Sequence, residues 1–234
     1  MKDFSHLPPH LRPPDLSKEE DRKKLEDFRK YNEGVGKLIT GFSGAEIILF
    51  SILGSLWNVP LPVARAIYSD LRIDAAINTA KRLLEARKQV FGANEFEKDI
   101  EKWLTYIFDQ LGIINGIRNH IVHHGVVATT DFSKPVVSNR LRARAASQVK
   151  EIEISPADLE ALNSDLGGII AMLPAVSIAI LSGPSPKAAE AFAMLEETKK
   201  RNAWRYKSPL QGGKKGKSPD KAPEPPPQPQ SSGE

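Results

Sequence analysis

Residues 95–124 read EFEKDIEKWLTYIFDQLGIINGIRNHIVHH, a stretch free of proline in which apolar residues return every three or four positions. At about 100° per residue, Trp103, Ile107, Leu111, Ile114, Ile117 and Ile121 fall on one side, which predicts an amphipathic helix with that stripe in a core. The opposite side carries Gly112, Gly116, Asn119 and His123, again three or four apart. Two glycines one turn apart remove side chains, so a partner helix can approach closely there. Arg118 falls within the apolar stripe. Burying a guanidinium unpaired is costly, so this side chain must reach water at the helix end or meet a carboxylate, with Glu46 and Asp74 as candidates.

The same periodicity continues on either side. A first core helix is predicted from about Gly36 to Leu56 through Leu38, Phe42, Ala45, Leu49 and Ile52 or Leu53. Asn58-Val59-Pro60-Leu61-Pro62 ends it and opens a second, from Pro62 to Val90, through Ala66, Ile67, Leu71, Ala75, Ile77, Leu83 and Leu84. Gly92 separates that helix from the third, the stretch quoted above. A fourth runs from Ser155, with Pro156 in the favourable first helical position, to about Leu181. Four apolar helices with mostly short connections predict an all-α fold, a four-helix bundle. Between helices three and four, Val126 to Phe132 and Val136 to Ile154 are rich in β-branched and alternating residues around the turn Ser133-Lys134-Pro135, which predicts a small β-hairpin or loop insertion.

Residues 1–35 read as a polar extension. Pro8-Pro9 and Pro13-Pro14 predict extended or disordered chain, followed by a charged helix from Lys18 to Tyr31 with Ser17 as N-cap and Glu20 three residues on. The helical domain is expected over 36–206, closing with a short helix from Pro186 to Tyr206, and 207–234 reads as a disordered Lys- and Pro-rich tail. The net charge of +4 is unevenly spread: Lys199, Lys200, Arg201 and Arg205 open a run to Lys217 that holds no acid. Trp204 and Tyr206 interleave with those cations, a composition that stacks on bases and neutralises phosphates, or else a solubilising tail whose aromatics pack on the bundle. Arg140, Arg142 and Arg144 alternate with Leu141, Ala143 and Ala145, so in a strand all three guanidinium groups point to one side, either as a solvated face or as a phosphate-contacting ridge. Asp70, Asp74, Asp158 and Asp165 read as surface or capping residues.

Several classes are excluded by what the sequence lacks. It contains no cysteine, which rules out disulfides, thiolate zinc sites and cysteine nucleophiles and fits a reducing, cytoplasmic setting. Residues 1–29 hold no apolar signal core. Two apolar runs are read as buried bundle helices rather than membrane spans. Ile39 to Trp57 contains Glu46, and a carboxylate at a bilayer centre costs about 3 kcal/mol; Leu166 to Leu181 carries Pro174 and falls short of the ~20 residues a span needs. There is no glycine-rich phosphate loop and no nucleophile elbow, so no nucleotide cofactor is expected.

The chemistry-bearing segment is Ile117-Arg118-Asn119-His120-Ile121-Val122-His123-His124-Gly125. Arg118, the polar Asn119 and then His123 resemble the signature of the HEPN superfamily, in which a histidine follows an arginine by four to six positions. The resemblance covers roughly Gly36 to Ser182. It implies a HEPN-like helical domain, usually dimeric, and a metal-independent ribonuclease of toxin–antitoxin or defence type whose paired motifs meet at the dimer interface. Under it, His123 is general base on a ribose 2′-hydroxyl or acid on the leaving 5′-oxygen, and Arg118 holds the scissile phosphate. Asn119, His124 and Glu46 would support them, with His124 also at a permitted spacing from Arg118. No cofactor or metal is implied; RNA is the substrate, a second copy joins across the Gly112, Gly116 and His123 face, and an antitoxin or defence protein is a further partner.

Two other readings stand beside it. His120 and His124 sit four apart as zinc-binding histidines on a helix do, but no third ligand suggests itself and no Glu follows His120 in the metalloprotease pattern. Alternatively the bundle is a non-catalytic RNA- or protein-binding module, its histidines capping a helix end where the dipole favours a cation. An ideal helix puts Arg118 and His123 far apart in azimuth. Joining them requires that the helix unwind at His124-Gly125 or that two copies share a cleft along the glycine face.

Overall fold

The computed structural model describes residues 15–68, 71–124, 126–127, 135–138 and 151–206. Most are helical: α1 (Glu19–Leu56), α2 (Leu61–Tyr68), α3 (Ile73–Phe91), α4 (Glu95–His124), α5 (Pro156–Ser182) and α6 (Pro186–Arg201). Between α4 and α5 the described residues include three short antiparallel strands, β1 (Val126–Val127), β2 (Val136–Ser138) and β3 (Glu151–Glu153), in the order β1-β2-β3. Val126 pairs with Val137, and Val137 with Ile152. Val137, Ile152 and Ile154 turn inward and seal the core beside α4. The fold is therefore mostly helical with a small antiparallel excursion after α4. Residues 1–14, Asp70, Arg140, Arg142, Arg144 and 207–234 lie outside the described residues.

Several expected helix boundaries are corrected. The charged helix expected over Lys18 to Tyr31 and the core helix expected from Gly36 are one continuous helix, α1. Gly34 does not break it; the glycine admits Leu159 of α5, whose side chain an added Cβ would meet at 3.0 Å. Tyr31, expected on a peripheral helix, is buried. At its start, Lys18 rather than Ser17 is the N-cap, without a side-chain cap, because the Ser17 hydroxyl donates to Asp15 at 2.7 Å.

The helix expected from Pro62 to Val90 is two, α2 and α3, with Arg72 extended at the start of α3. The break resets the helical phase. Ala66, Ile67 and Ala75, expected in the core, are exposed, while Ala64, Tyr68, Ile73, Ala76, Ile77, Ala80 and Leu84 are buried. Gly54 lets α2 fold back on the end of α1: an added Cβ would lie 2.8 Å from that of Ala64. Gly92 ends α3 at φ 76°, a conformation that favours glycine, and turns the chain into α4.

The long helices have definite directions. Gly34 faces Leu159, Gly41 faces Leu166, and the Ser55 hydroxyl meets that of Ser177 at 3.3 Å, so α1 and α5 run side by side in the same sense. α4 runs opposite to them: its end reaches Phe42 through Arg118, and its start reaches the end of α1 through Arg87 and Glu97. The predicted stripe of α4, Trp103 to Ile121, is buried throughout. α5 opens on a capping box in which Ser155 and Asp158 exchange hydrogen bonds.

The C-terminal helix stops at Arg201 rather than Tyr206. Residues 202–206 form a strap along α5. Asp165, expected as a surface or capping residue, is buried beneath it and accepts hydrogen bonds from the backbone N–H of Arg205 at 3.0 Å and of Tyr206 at 2.8 Å.

Candidate functional site

The Arg118 end of α4 meets the middle of α1. Phe42 and Glu46 are one turn apart on α1, and the Arg118 guanidinium carbon lies 5.3 Å from the centroid of the Phe42 ring, a cation–π contact. Arg118 donates from Nη1 to Asn119 Oδ1 at 3.2 Å. Its Nε is buried and has no hydrogen-bond partner among the described residues. Such an unmet donor costs about 1–3 kcal/mol and calls for an explanation. Neither of the carboxylates considered for Arg118 forms an ion pair with it within 4 Å among the described residues. Asp74 instead accepts a hydrogen bond from Asn115 at 2.9 Å, while Asn115 Oδ1 is buried without a hydrogen-bond partner among the described residues.

Glu46 is half-buried, and burial raises its carboxyl above the ordinary value of 4.5, against the opposing pull of Arg118. The ionised form is thus less tolerated in the folded chain than in the unfolded one. The resulting stability is fully present below the ordinary value and is lost as pH rises through the raised one. Glu46→Gln should therefore be more stable than the wild type at neutral pH, with the gap closing on acidification below that ordinary value. Urea denaturation across this range measures it; a gap that is constant with pH would remove the carboxylate from the account.

α4 stays helical through His124, so the first route for joining Arg118 to His123, an unwound helix end, does not operate at His124. Five residues apart, the two side chains differ by roughly 140° in azimuth. Arg118 is half-buried against α1; His123 is exposed on the other side, with Asn119 half-buried between them. The hydrogen bond to Asn119 draws the guanidinium toward the His123 side. Gly112 is exposed and Gly116 half-exposed, and an added Cβ at either would meet nothing within 4 Å among the described residues. The His124 side chain lies outside the described residues. Phe42, the ring that carries Arg118, was not read as a site residue; the available signal was a charged residue in the core stripe of α4, which requires a companion on a facing helix.

The C-terminal cations fall in different settings. Lys199 Nζ sits over the Tyr106 ring at 4.4 Å and near the Trp103 ring at 5.6 Å, joining α6 to α4. Arg201 pairs with Glu197 at 3.0 Å; Lys200 and Arg205 are exposed. Trp204 is half-buried against the core and donates from Nε1 to the Tyr206 carbonyl at 2.6 Å, while Tyr206 is buried. In this conformation the two aromatics pack on the bundle. Among the described residues no three His, Asp or Glu side chains gather as metal ligands would.

Fold and site together define a mostly helical protein with an arginine–amide–histidine cluster at one helix end. Compared with protein-family models, with curated proteins and with solved structures, the chain matches none.

Proposed function

We propose that this chain is a metal-independent endoribonuclease of the HEPN type, working as a homodimer in a toxin or defence setting. The observation that carries the reading is Arg118: an arginine held by Phe42 and Asn119, with an unmet buried Nε, one to two turns from an exposed histidine. A phosphate is the ligand such a group suits, since it accepts charge-assisted hydrogen bonds and carries the negative charge that grows during transfer. His123 takes the proton from the ribose 2′-hydroxyl or returns one to the leaving 5′-oxygen. The substrate supplies its own nucleophile, so the products are a 2′,3′-cyclic phosphate and a free 5′-hydroxyl. A second copy packed along Gly112, Gly116 and Asn119 brings the partner's histidine toward this Arg118, and the exposed Lys200 and Arg205 add phosphate contacts.

A specific observation favours the alternative of a non-catalytic binding module: His123 is exposed, and no side chain among the described residues orients its ring. The experiment is cleavage of single-stranded RNA by purified protein in EDTA, with Arg118→Ala and His123→Ala at matched thermal stability. The expected result is cyclic-phosphate products from the wild type and a loss of about 10²-fold or more in each variant. RNA that is bound but left intact by the wild-type dimer would turn the assignment to the binding module.

A further inference from the structure

The chain is strongly sided. From Ile47 to Ser69 the only charged residue is Arg65, and from Leu166 to Pro186 there is none. The other faces alternate in charge, through Lys81, Arg82, Glu85 and Lys88 on α3 and Lys102, Glu196 and Lys199 where α4 meets α6. The two uncharged runs form the last ten residues of α1 together with α2, and the second half of α5; the end of α1 lies against α5 through Ser55 and Ser177. Their inner sides fill the core, but their outer sides remain bare: Ile47 is 63% exposed and Leu181 61%, with Pro174 and Ile178 exposed between them. Gly54, the seat of α2, is seven residues from Ile47 and so on the same side of α1, which makes the exposed Val63 and Ile67, one turn apart on α2, an extension of this surface. Trp57 stands at its edge, 37% exposed.

We propose that this uncharged face of α1, α2 and α5 docks on a lipid bilayer, with its apolar side chains entering the headgroup–acyl boundary and Trp57 and Arg65 at the polar level. The hydroxyls of α1 favour lipid over a protein partner. A protein interface is expected to form about one hydrogen bond per 100–200 Å², yet Ser43 donates to the Ile39 carbonyl and Ser51 to that of Ile47, so these groups are satisfied within their own helix. Self-satisfied hydroxyls and missing charge are what hydrocarbon demands of a helix surface. A tryptophan and a lone cation at the rim are interfacial anchors. Glu46 and the packed inner sides keep the helices in the bundle, so the chain lies on the bilayer instead of crossing it.

The test is co-sedimentation of the full chain with phosphatidylcholine vesicles, with and without added phosphatidylserine, comparing the wild type with Ile47→Glu/Leu181→Glu. Both side chains are exposed, so the variant should melt as the wild type does. The expected result is binding to both vesicle types and a loss of partitioning of about tenfold or more in the variant. A blue shift of tryptophan emission on binding should be largely absent in Trp57→Phe. Wild-type protein that stays in the supernatant with both vesicle types overturns the proposal, as does a variant that sediments as well as the wild type. A wild-type oligomer that ignores vesicles and is split by the variant assigns the face to a second copy instead. RNA cleavage is read in none of these arms, so the two proposals fail or stand separately.

Discussion

Glu97→Ala should destabilise this protein as much as the loss of a large core side chain. Glu97 opens α4 and Arg87 closes α3; they are 5% and 8% exposed. The guanidinium binds the carboxylate in bidentate fashion, Nε to Oε2 at 3.0 Å and Nη2 to Oε1 at 2.7 Å, and its Nη1 donates to the carbonyl of Leu56 at the end of α1. Three helix ends are therefore tied at one point. Removing the carboxylate leaves a buried cation without its counter-charge, which costs about 3–5 kcal/mol and lowers the melting temperature by on the order of 10 °C in a chain of this size. Replacing both partners, as in Arg87→Met/Glu97→Leu, should recover most of that loss, because the desolvation penalty goes together with the attraction. Thermal and urea denaturation of the two variants decide the matter. A single variant that melts like the wild type would mean that water reaches Arg87.

This pair also shows where reading the sequence stops. Glu97 and Arg87 are charged residues in amphipathic helices rich in charge, and no spacing distinguishes a buried ion pair across a helix hairpin from solvated side chains. The apolar stripe of α4 was legible because six large residues at helical spacing admit one buried side, and all six are in the core. The break between α2 and α3 was not, because Ser69 to Arg72 contains neither glycine nor proline. Conversely, one helix was expected to end at Tyr31 and the next to open at Gly36, yet α1 runs through both: Gly34, between them, is a contact glycine, and only the facing helix reveals its purpose. The cluster of Arg118, Asn119 and His123 was visible as chemistry before any fold was known, and its conflict of azimuth was visible too. What one helix does not contain is the Phe42 ring or the neighbouring Glu46 carboxyl, which arrive from α1.

Asp165→Ala should release the C-terminal strap. The carboxylate is 5% exposed, and its partners are the backbone N–H groups of Arg205 and Tyr206, so an anion is held by peptide dipoles rather than by a cation. Hydrogen bonds to a charged acceptor contribute about 1.5–3 kcal/mol each, partly offset here by the cost of burying the charge. Without the acceptor, the buried Tyr206 donor and the partly buried Arg205 donor must stay unmet or the strap must lift into water, and lifting is the cheaper outcome for five residues that follow the last helix. Release exposes Tyr206 and frees the Trp204 indole from the Tyr206 carbonyl, so amide exchange at Arg205 and Tyr206 should accelerate and tryptophan emission should shift to the red. Asp165→Asn keeps a neutral acceptor and should fall between. Unchanged protection of those two amides in Asp165→Ala would show that the packing of Tyr206 alone holds the strap. The same variant separates the two roles considered for the basic segment. Strap aromatics that stack on bases only when lifted would strengthen RNA binding in Asp165→Ala, whereas aromatics that serve the bundle would leave RNA affinity unchanged while stability falls.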